Sequence, residues 1–255
     1  MTTWVLIRHE FSLLRALWIP LSLCFSMPLL ALAFVEGGFS AVVRLKDPDG
    51  LVQGVDLAAP GLATMFCLMS LSVTGHLFLG EHAWGTWARM RCIGVRTGQI
   101  MLAKLSVALV AYLVLFVSVM GSARLIFDWR MRGPLATFAT VVALLGLVTV
   151  VFGALACTLC RNQAELNAMT YLGALVMAGL GGALTPFETL PSWAQSIAPL
   201  VPTYWSVRAF EAVILGGAGL SEVTVELAAL AVFAAVFGTL AYILFDEDER
   251  RSTWA

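Results

Sequence analysis

The sequence predicts an all-α polytopic membrane protein with six transmembrane helices, organised as one domain over residues 1–255. Of its residues, 60% are hydrophobic and 12% are charged, about half the ~25% charge of soluble domains. Six continuous apolar stretches lack Asp, Glu, Lys and Arg, and a membrane-spanning helix needs ~20 such residues. These stretches are Leu17–Val35, Ala58–Leu79, Leu105–Ala123, Leu135–Thr158, Ala168–Thr185 and Leu227–Phe245. A β-barrel would show short alternating segments, and a soluble helical core would show polar helix faces.

Ahead of the first span, residues 1–16 are predicted to form an amphipathic helix in the membrane interface. Apolar side chains recur at spacings of three and four, which places them on one helix face. They are Trp4, Ile7, Phe11, Leu14 and Trp18. The opposite face carries Arg8, Ser12 and Arg15. The alternative is a cleaved signal peptide ending near Ala31-Leu32-Ala33, but the region before a signal core is usually short and unpatterned.

Basic residues favour an orientation with both termini in the cytoplasm. The cytoplasmic set is the larger and contains Arg8, Arg15, Arg89, Arg91, Arg96, Lys104, Arg161, Arg250 and Arg251. The external set contains Arg44, Lys46, Arg124, Arg130, Arg132 and Arg208. The predicted cytoplasmic loops are then Gly80–Lys104 and Leu159–Asn167. The predicted external loops are Glu36–Leu57, Arg124–Pro134 and Pro186–Glu226.

The external segment (residues 186–217) is predicted to form a re-entrant helical hairpin before the last span. Its four prolines divide it into pieces too short to cross a bilayer. A first short helix starts at Pro191, and Leu190, Trp193 and Ile197 share one of its faces. An irregular surface loop is the alternative, but it would expose a large apolar surface.

The second helix of this hairpin is predicted over Tyr204–Leu215. Thr203 is expected to cap its start, and Gly216-Gly217 is expected to end it. Pro186 and Pro202 precede the two helical pieces. The amphipathic rings of Trp193 and Tyr204 suit the depth of the lipid headgroups.

Catalytic signatures are missing from the sequence. The two lysines, Lys46 and Lys104, lie outside any G-x-x-x-x-G-K-[ST] pattern, so the chain has no P-loop. Cys157 and Cys160 are interpreted as buried thiols in preference to a redox or metal pair. His76 is interpreted as a neutral, hydrogen-bonded histidine, with a proton relay as the alternative. We predict no catalytic or metal-binding residue, and the chain itself is not expected to be an enzyme.

Three stretches resemble the membrane subunits of the type-2 ATP-binding-cassette (ABC) exporter family, which includes antibiotic-resistance permeases and nodulation-factor exporters. "GEHAWGTWARMRCIGV" is similar to the family's acidic–Gly-Thr–basic segment at Glu81, Gly85, Thr86, Arg89 and Arg91. "GGALTPFETLPSWAQSIAPLVPTYW" is similar to a second family run at Gly181, Gly182, Pro186, Leu190, Pro191, Trp193, Pro202, Thr203 and Tyr204. "CRNQAELNAMTYLGALVM" is similar to the second cytoplasmic loop and fifth span, and it contains Arg161 and Glu165.

The resemblance implies that residues 80–104 hold a coupling helix, which rests in a cleft of a separate ATPase. The residue types suit that role, because Trp84 and Trp87 could be buried anchors and Arg89 and Arg91 could fix the register. Glu81 would add charge complementarity. The alternative is a basic loop that touches only lipid headgroups.

The function implied is the transmembrane subunit of an ATP-driven exporter that moves an amphiphilic, lipid-like or drug-like substrate out across the cytoplasmic membrane. The expected partners are two copies of an ABC ATPase, a second permease chain (identical or paralogous) and the lipid bilayer, with no nucleic acid. No cofactor is expected in this chain, whereas ATP and Mg would bind the ATPase. The alternatives are a membrane-embedded enzyme and a non-transporting membrane anchor for an ATPase.

Overall fold

A computed structural model describes residues 18–46, 53–83, 89, 92, 94 and 97–245 of the chain. Only the backbone is described for residues 18–25, 42, 45, 46, 73, 74, 76–78 and 80–83. The described residues are all-helical, without a strand, and the predicted interfacial helix over residues 1–16 lies outside them. The α-helices are α1 (Trp18–Lys46), α2 (Gly54–Ala83), α3 (Thr97–Phe127), α4 (Leu135–Leu159), α5 (Gln163–Leu180), α6 (Ser192–Ile197), α7 (Pro202–Ile214) and α8 (Thr224–Leu244). The 3-10 turns Phe187–Thr189 and Ala198–Leu200 lie before and after α6.

Four segments of the described helices are long and apolar enough to cross a membrane. They are Gly54–Ser72, Thr97–Phe127, Leu135–Leu159 and Thr224–Leu244. Within α1, Ser26–Ala41 forms a shorter apolar stretch, and α5 is not among the four. The all-helical membrane class is thus supported, while the count of six spans stays a prediction.

The helices continue past several of the predicted loop boundaries, so parts of the predicted loops are helical. Helix α1 runs to Lys46, through half of the predicted loop Glu36–Leu57. Helix α3 begins at Thr97, well before the predicted span start at Leu105. The predicted loop Leu159–Asn167 is likewise largely helical, since α5 begins at Gln163. Hydropathy marks only the apolar part of a helix, and charged side chains near its ends can reach water while the backbone stays helical.

Helix α2 forms the centre of the bundle and packs against α1, α3, α4, α5 and α7. In its apolar segment 83% of the residues are buried, compared with 17% in the segment from α8. Small residues such as Ala58 and Ala59 are fully buried there and let neighbouring helices approach closely. At Gly61 a side chain would come within 3.0 Å of Ala183 Cα. Close packing of the neighbouring helices therefore explains the small residues in α2.

An aromatic core holds the predicted external end of the bundle together. The ring centroids of Phe138 and Phe210 are 5.2 Å apart, and those of Phe116 and Phe210 are 6.0 Å apart. Trp129 stacks on Phe138 at 5.5 Å. Offset and tilted aromatic pairs of this kind add stabilisation beyond the area they bury. This core joins α3 and α4 to α7, which belongs to the external segment.

A buried carboxylate, Asp56, ties the start of α2 to the connection between α3 and α4. Its Oδ1 accepts from the Arg130 backbone N–H at 2.7 Å, and its Oδ2 accepts from the Gln53 N–H at 2.7 Å. The Trp129 indole N–H donates to the Asp56 carbonyl at 3.0 Å. Beside this site, Asp128 adopts a φ of 54°, and the hydrogen bond from Arg130 lowers the pKa of its carboxyl. The start of α2 and the connection between α3 and α4 are thus joined by hydrogen bonds.

Candidate functional site

The predicted coupling segment is described only in part. Glu81 lies in the last turn of α2, where the backbone alone is described. Trp84, Gly85, Thr86, Trp87 and Arg91 lie outside the described residues, so their roles stay predictions. Arg89 and Cys92 are helical and exposed. Gly94 has a φ of 83°, which suits a glycine in a turn shortly before α3.

The second predicted cytoplasmic loop is a compact helix start. Asn162 caps α5, because its side-chain oxygen accepts from the Glu165 backbone N–H at 2.9 Å. In return, the Glu165 carboxylate accepts from Asn162 Nδ2 at 3.0 Å and from the Arg161 backbone N–H at 2.8 Å. This is a reciprocal capping arrangement. Of the two predicted residues, Glu165 accepts the hydrogen bonds that hold the loop, whereas the Arg161 side chain is exposed.

A polar cluster bridges α2 and α5 close to this loop. The Ser72 hydroxyl and the Gln163 side-chain amide both donate to Asn167 Oδ1, the latter at 2.9 Å. Gln163 Nε2 also donates to the Ser72 carbonyl at 3.3 Å. Polar groups between apolar helices are stabilised by such shared partners. The sequence analysis missed this cluster, since Ser72 is more than 90 positions away from Gln163 and Asn167 along the chain.

Thr203 has a different role from the one predicted. Helix α7 begins at Pro202, with Val201 as its cap residue, so the prediction that Thr203 caps a helix starting at Tyr204 was wrong. Instead, the Thr203 hydroxyl donates to the carbonyl of Met177, near the end of α5. Proline fits the first turn of α7 because the backbone N–H that it lacks is not needed there. A side chain at Gly181 would meet both Thr203 and Met177, which explains this glycine.

Helix α6 carries the apolar residues that were predicted to share a face. Trp193 is 64% exposed and Ile197 is 39% exposed, while Leu190 is half-buried. Gln195 Nε2 donates to the Leu190 carbonyl at 2.8 Å, which fixes the turn before the helix. Pro191 directly precedes the helix as its cap residue. The external segment therefore presents an apolar surface from an ordered, hydrogen-bonded helix.

Tyr204 lines a small cavity beside the external segment. The cavity has a volume of about 280 Å³, and its walls also include Pro186, Phe187 and Arg208. The Tyr204 and Phe187 rings are 5.1 Å apart. Arg208 donates to the Tyr204 hydroxyl at 3.0 Å, and its guanidinium carbon is 5.5 Å from the centre of the same ring. This cavity combines an aromatic wall with charged groups, which suits the polar end of an amphiphile.

Several residues near the external segment were not singled out by the sequence analysis. Arg208 Nε lies 3.9 Å from Glu226 Oε1, which links α7 to the first turn of α8. Phe187 packs on Tyr204, and Asp56 is buried at the start of α2. The spacing of Tyr204 and Arg208, four residues apart on one helix, is a signal that could have indicated their contact.

The two cysteines at the end of α4, Cys157 and Cys160, are buried and do not form a disulfide. Cys160 Sγ lies 3.7 Å from the sulfur of Met169. In the part of the chain that the structure describes, no cluster of three or more His, Cys, Asp or Glu could hold a metal ion. The His76 side chain is outside the described residues.

Comparison with known proteins gives a family match over most of the chain. Residues 41–243 match the model of the ABC-2 family transporter protein. The chain is 26% identical over 179 residues to the inner membrane transport permease YhhJ of Escherichia coli (strain K12), covering 70% of this chain and 48% of that one. It is 25% identical over 187 residues to the probable multidrug ABC transporter permease YbhR of the same strain, covering 73% of this chain and 51% of that one.

A eukaryotic protein is also similar. The chain is 27% identical over 203 residues to ABC transporter G family member 20 of Dictyostelium discoideum, covering 75% of this chain and 26% of that one. The chain spans about half the length of the two bacterial relatives that it matches. The matched region contains α2 to α7 and the external segment.

Proposed function

Because the chain belongs to the ABC-2 family of transporter proteins, we propose that it is the membrane-spanning subunit of an ATP-driven exporter. The match over residues 41–243 carries this proposal, since it includes the bundle centre and the external segment. Two such chains, identical or paralogous, would form the pathway. Two separate ATPase subunits would bind ATP and Mg and drive the change from an inward-open to an outward-open state.

Six transmembrane helices in the cytoplasmic membrane are part of the proposal. Helices α2, α3, α4 and α8 contain the four apolar segments already described. Helix α1 has 29 residues and is long enough to cross, because a rise of about 1.5 Å per residue gives about 44 Å. Helix α5 has 18 residues, or about 27 Å, close to the ~30 Å hydrocarbon core. Both termini would then be cytoplasmic.

The coupling role is assigned to residues 80–104 and to the exposed side chain of Arg161. The connection between α2 and α3 and the start of α5 lie at the same end of the bundle, because α2 and α5 pack side by side and run in opposite directions. Both would face the ATPase. The exposed Arg89 supports a surface that is open to a partner.

The cargo class is amphiphilic or lipid-like. The cavity beside Tyr204 combines aromatic and charged walls, which suits a molecule with an apolar body and a polar end. The apolar surface of α6, with Trp193 and Leu200 exposed, supports contact of the external segment with the outer leaflet. The segment would then cover the outer end of the pathway.

The proposal is tested by reconstitution. The chain is co-expressed with a candidate ABC ATPase, the complex is purified by a tag on this chain, and ATP-dependent movement of a fluorescent amphiphile is measured in proteoliposomes. We expect the ATPase to co-purify and transport to stop when its P-loop lysine is replaced. ATPase binding without any transport would favour the non-transporting anchor, and absence of binding would overturn the proposal.

The external segment offers a sharper variant. Trp193→Ser should reduce transport strongly, because it removes an exposed apolar ring from the surface that contacts the outer leaflet. ATPase co-purification and folding should be unchanged, since the ring makes little contribution to the core. Ser196→Ala is the matched control on the same helix, where the hydroxyl bonds only within α6, to the Ser192 carbonyl. If Trp193→Ser releases the ATPase, the external segment does not have a separate role in transport.

A further inference from the structure

A second cavity, larger than the one beside Tyr204 and distinct from it, lies at the predicted cytoplasmic end of the bundle. Its volume is about 790 Å³, within the ~300–1,000 Å³ typical of sites for drug-sized ligands. It lies between α3, α4 and α8, with α2 behind it. Its described lining residues are Leu71, Gly75, Thr97, Gly98, Met101, Lys104, Leu105, Ala108, Val150, Val151, Gly153, Ala154, Cys157, Thr158, Gly238, Ala241, Tyr242, Ile243 and Phe245.

We propose that this cavity binds one anionic phospholipid of the surrounding bilayer, with an acyl chain between the helices and the phosphate at the Lys104 ammonium. This site goes beyond the proposed transport function. It is separate from the external segment, and its occupant is a resident membrane lipid instead of the cargo.

The dimensions of the cavity match one leaflet. Along α3 its lining extends from Thr97 to Ala108, a distance of about 16 Å at 1.5 Å per residue. This is about half of the ~30 Å hydrocarbon core. Lys104 lies about 10 Å from the Thr97 end of this lining and about 6 Å from its Ala108 end, so the cavity has room for the phosphate together with the adjoining part of an acyl chain.

The cavity opens towards the membrane side of the bundle. On α8, Tyr242 is 85% exposed and Ile243 is 68% exposed, and both line the cavity. On α3, the neighbouring Leu102 is 57% exposed. Exposed apolar side chains on both sides of the opening indicate that lipid, and not water, has access to it.

The charge of the lining selects the headgroup. Among the described lining residues, Lys104 carries the only charge, and its side chain is half-buried. A lysine near the end of a membrane-spanning helix places its ammonium at headgroup depth while its methylene groups contact apolar surface. Attraction between such a lysine and an anionic lipid favours the lipid by about fivefold.

Two glycines on opposite walls keep the space open. At Gly98 no atom lies within 4 Å of where a side chain would begin, and at Gly238 the nearest is Val151 Cγ1, at 3.8 Å. Larger residues would therefore fit locally and would fill the cavity. Gly238 lies inside α8, where glycine is disfavoured, and Gly98 lies in the first turn of α3. At both positions the missing side chain leaves space in the cavity.

The test uses the full chain in nanodiscs and a phosphatidylglycerol probe that carries a photoreactive diazirine in one acyl chain. Labelled residues are mapped by mass spectrometry. In the wild type we expect labelling of the half-buried Met101, about fivefold stronger than with a phosphatidylcholine probe carrying the same chain. Gly98→Leu and Gly238→Leu should each remove most labelling of Met101. Lys104→Gln should remove the preference for phosphatidylglycerol, and Lys104→Arg should restore it.

Gly121→Leu is the matched control, because Gly121 lies on α3 outside the cavity and also has no atom within 4 Å. It should leave the labelling unchanged. Two variants from different walls keep the test valid if one of them fails to fold, as judged by gel filtration. The proposal is overturned if labelling is confined to outward residues such as Leu102, if both filling variants label like the wild type, or if the two probes label equally. None of these outcomes depends on transport.

Discussion

The two ends of the helix bundle are held together by different kinds of contact. At the predicted external end, hydrogen bonds join residues that are distant in sequence: Trp129 donates to the Asp56 carbonyl, and Arg132 donates to the Leu215 carbonyl at 3.1 Å. At the predicted cytoplasmic end, the bonds around Glu165 are local and the Ser72–Asn167 cluster joins α2 to α5 alone. A cavity of about 790 Å³ lies between α3 and α8 at this end. The external end is thus built as a unit, whereas the other end leaves space for a ligand and partners.

The largest expected effect tests the hydrogen bonds at the predicted external end. Asp56→Ala removes the acceptor of two backbone N–H groups, those of Gln53 and Arg130, and should lower the free energy of unfolding by about 3 kcal/mol. Thermal unfolding in detergent measures this loss. Asp56→Asn keeps one acceptor oxygen and should fall between the wild type and Asp56→Ala. An unchanged unfolding temperature in Asp56→Ala would mean that this end is not held by the carboxylate.

The second effect tests the predicted cytoplasmic end through its association with the proposed ATPase. Trp87→Ala should weaken ATPase association by about 2 kcal/mol, or about 30-fold, because truncating a buried aromatic anchor has effects of this size. Arg91→Ala should mainly change the salt dependence of association. Co-purification at low and high salt compares the two variants, with cysteine accessibility as the check on topology. Full ATPase binding and ATP-driven export in both variants would reduce the segment to a lipid anchor.

A smaller effect separates two neighbouring residues of the second predicted cytoplasmic loop. Glu165→Ala should lower the free energy of unfolding by about 1 kcal/mol, since the capping arrangement at α5 is lost. Arg161→Ala keeps the backbone N–H that bonds Glu165, so it should lower the free energy of unfolding less than Glu165→Ala does, while ATPase association decreases. Unfolding and co-purification are measured on both variants. The assignment is wrong if Arg161→Ala is the destabilised one.

The smallest effect concerns Asp128, at the predicted external end. The hydrogen bond from Arg130 lowers the pKa of this carboxyl below its ordinary value of 3.8. The ionised group therefore stabilises the folded chain above the unfolded-state pKa, and this contribution is lost as the pH falls through the folded-state pKa. Asn also tolerates the positive φ at this position. Asp128→Asn should thus unfold slightly earlier than the wild type at neutral pH, and the difference should vanish in strong acid.

The helical class and the approximate position of most described helices were predictable from the sequence. Long apolar stretches without charge have few alternatives to a membrane helix, which is why α3, α4 and α8 agree with their predicted spans at the centre. Their ends were not predictable, because helix geometry continues through polar residues such as Glu36 and Arg44 in α1. Hydropathy measures transfer of side chains to lipid and contains no information on where the backbone hydrogen bonds stop.

The details of the site depended on contacts that no local pattern encodes. Thr203 follows a proline and precedes an apolar helix, which is typical of a cap, yet its hydroxyl bonds a carbonyl 26 positions earlier. In the sequence, Asp56 is a polar residue shortly before a predicted span. In the structure its carboxylate accepts from the backbone N–H of Arg130, 74 positions away. Such pairings arise from packing of distant helices. The family stretches, in contrast, could be recognised because their spacing is fixed along the chain.

Helix α5 is attached at both of its ends and can transmit movement between them. Its first turn is fastened to the Arg161–Asn162 connection, and its last turn is fastened to α7 because the Met177 carbonyl accepts from both the Gly181 N–H and the Thr203 hydroxyl. Between these two attachments the helix is a stiff element of about 27 Å. A shift of Asn162 along the helix axis would therefore move Thr203 by a similar distance.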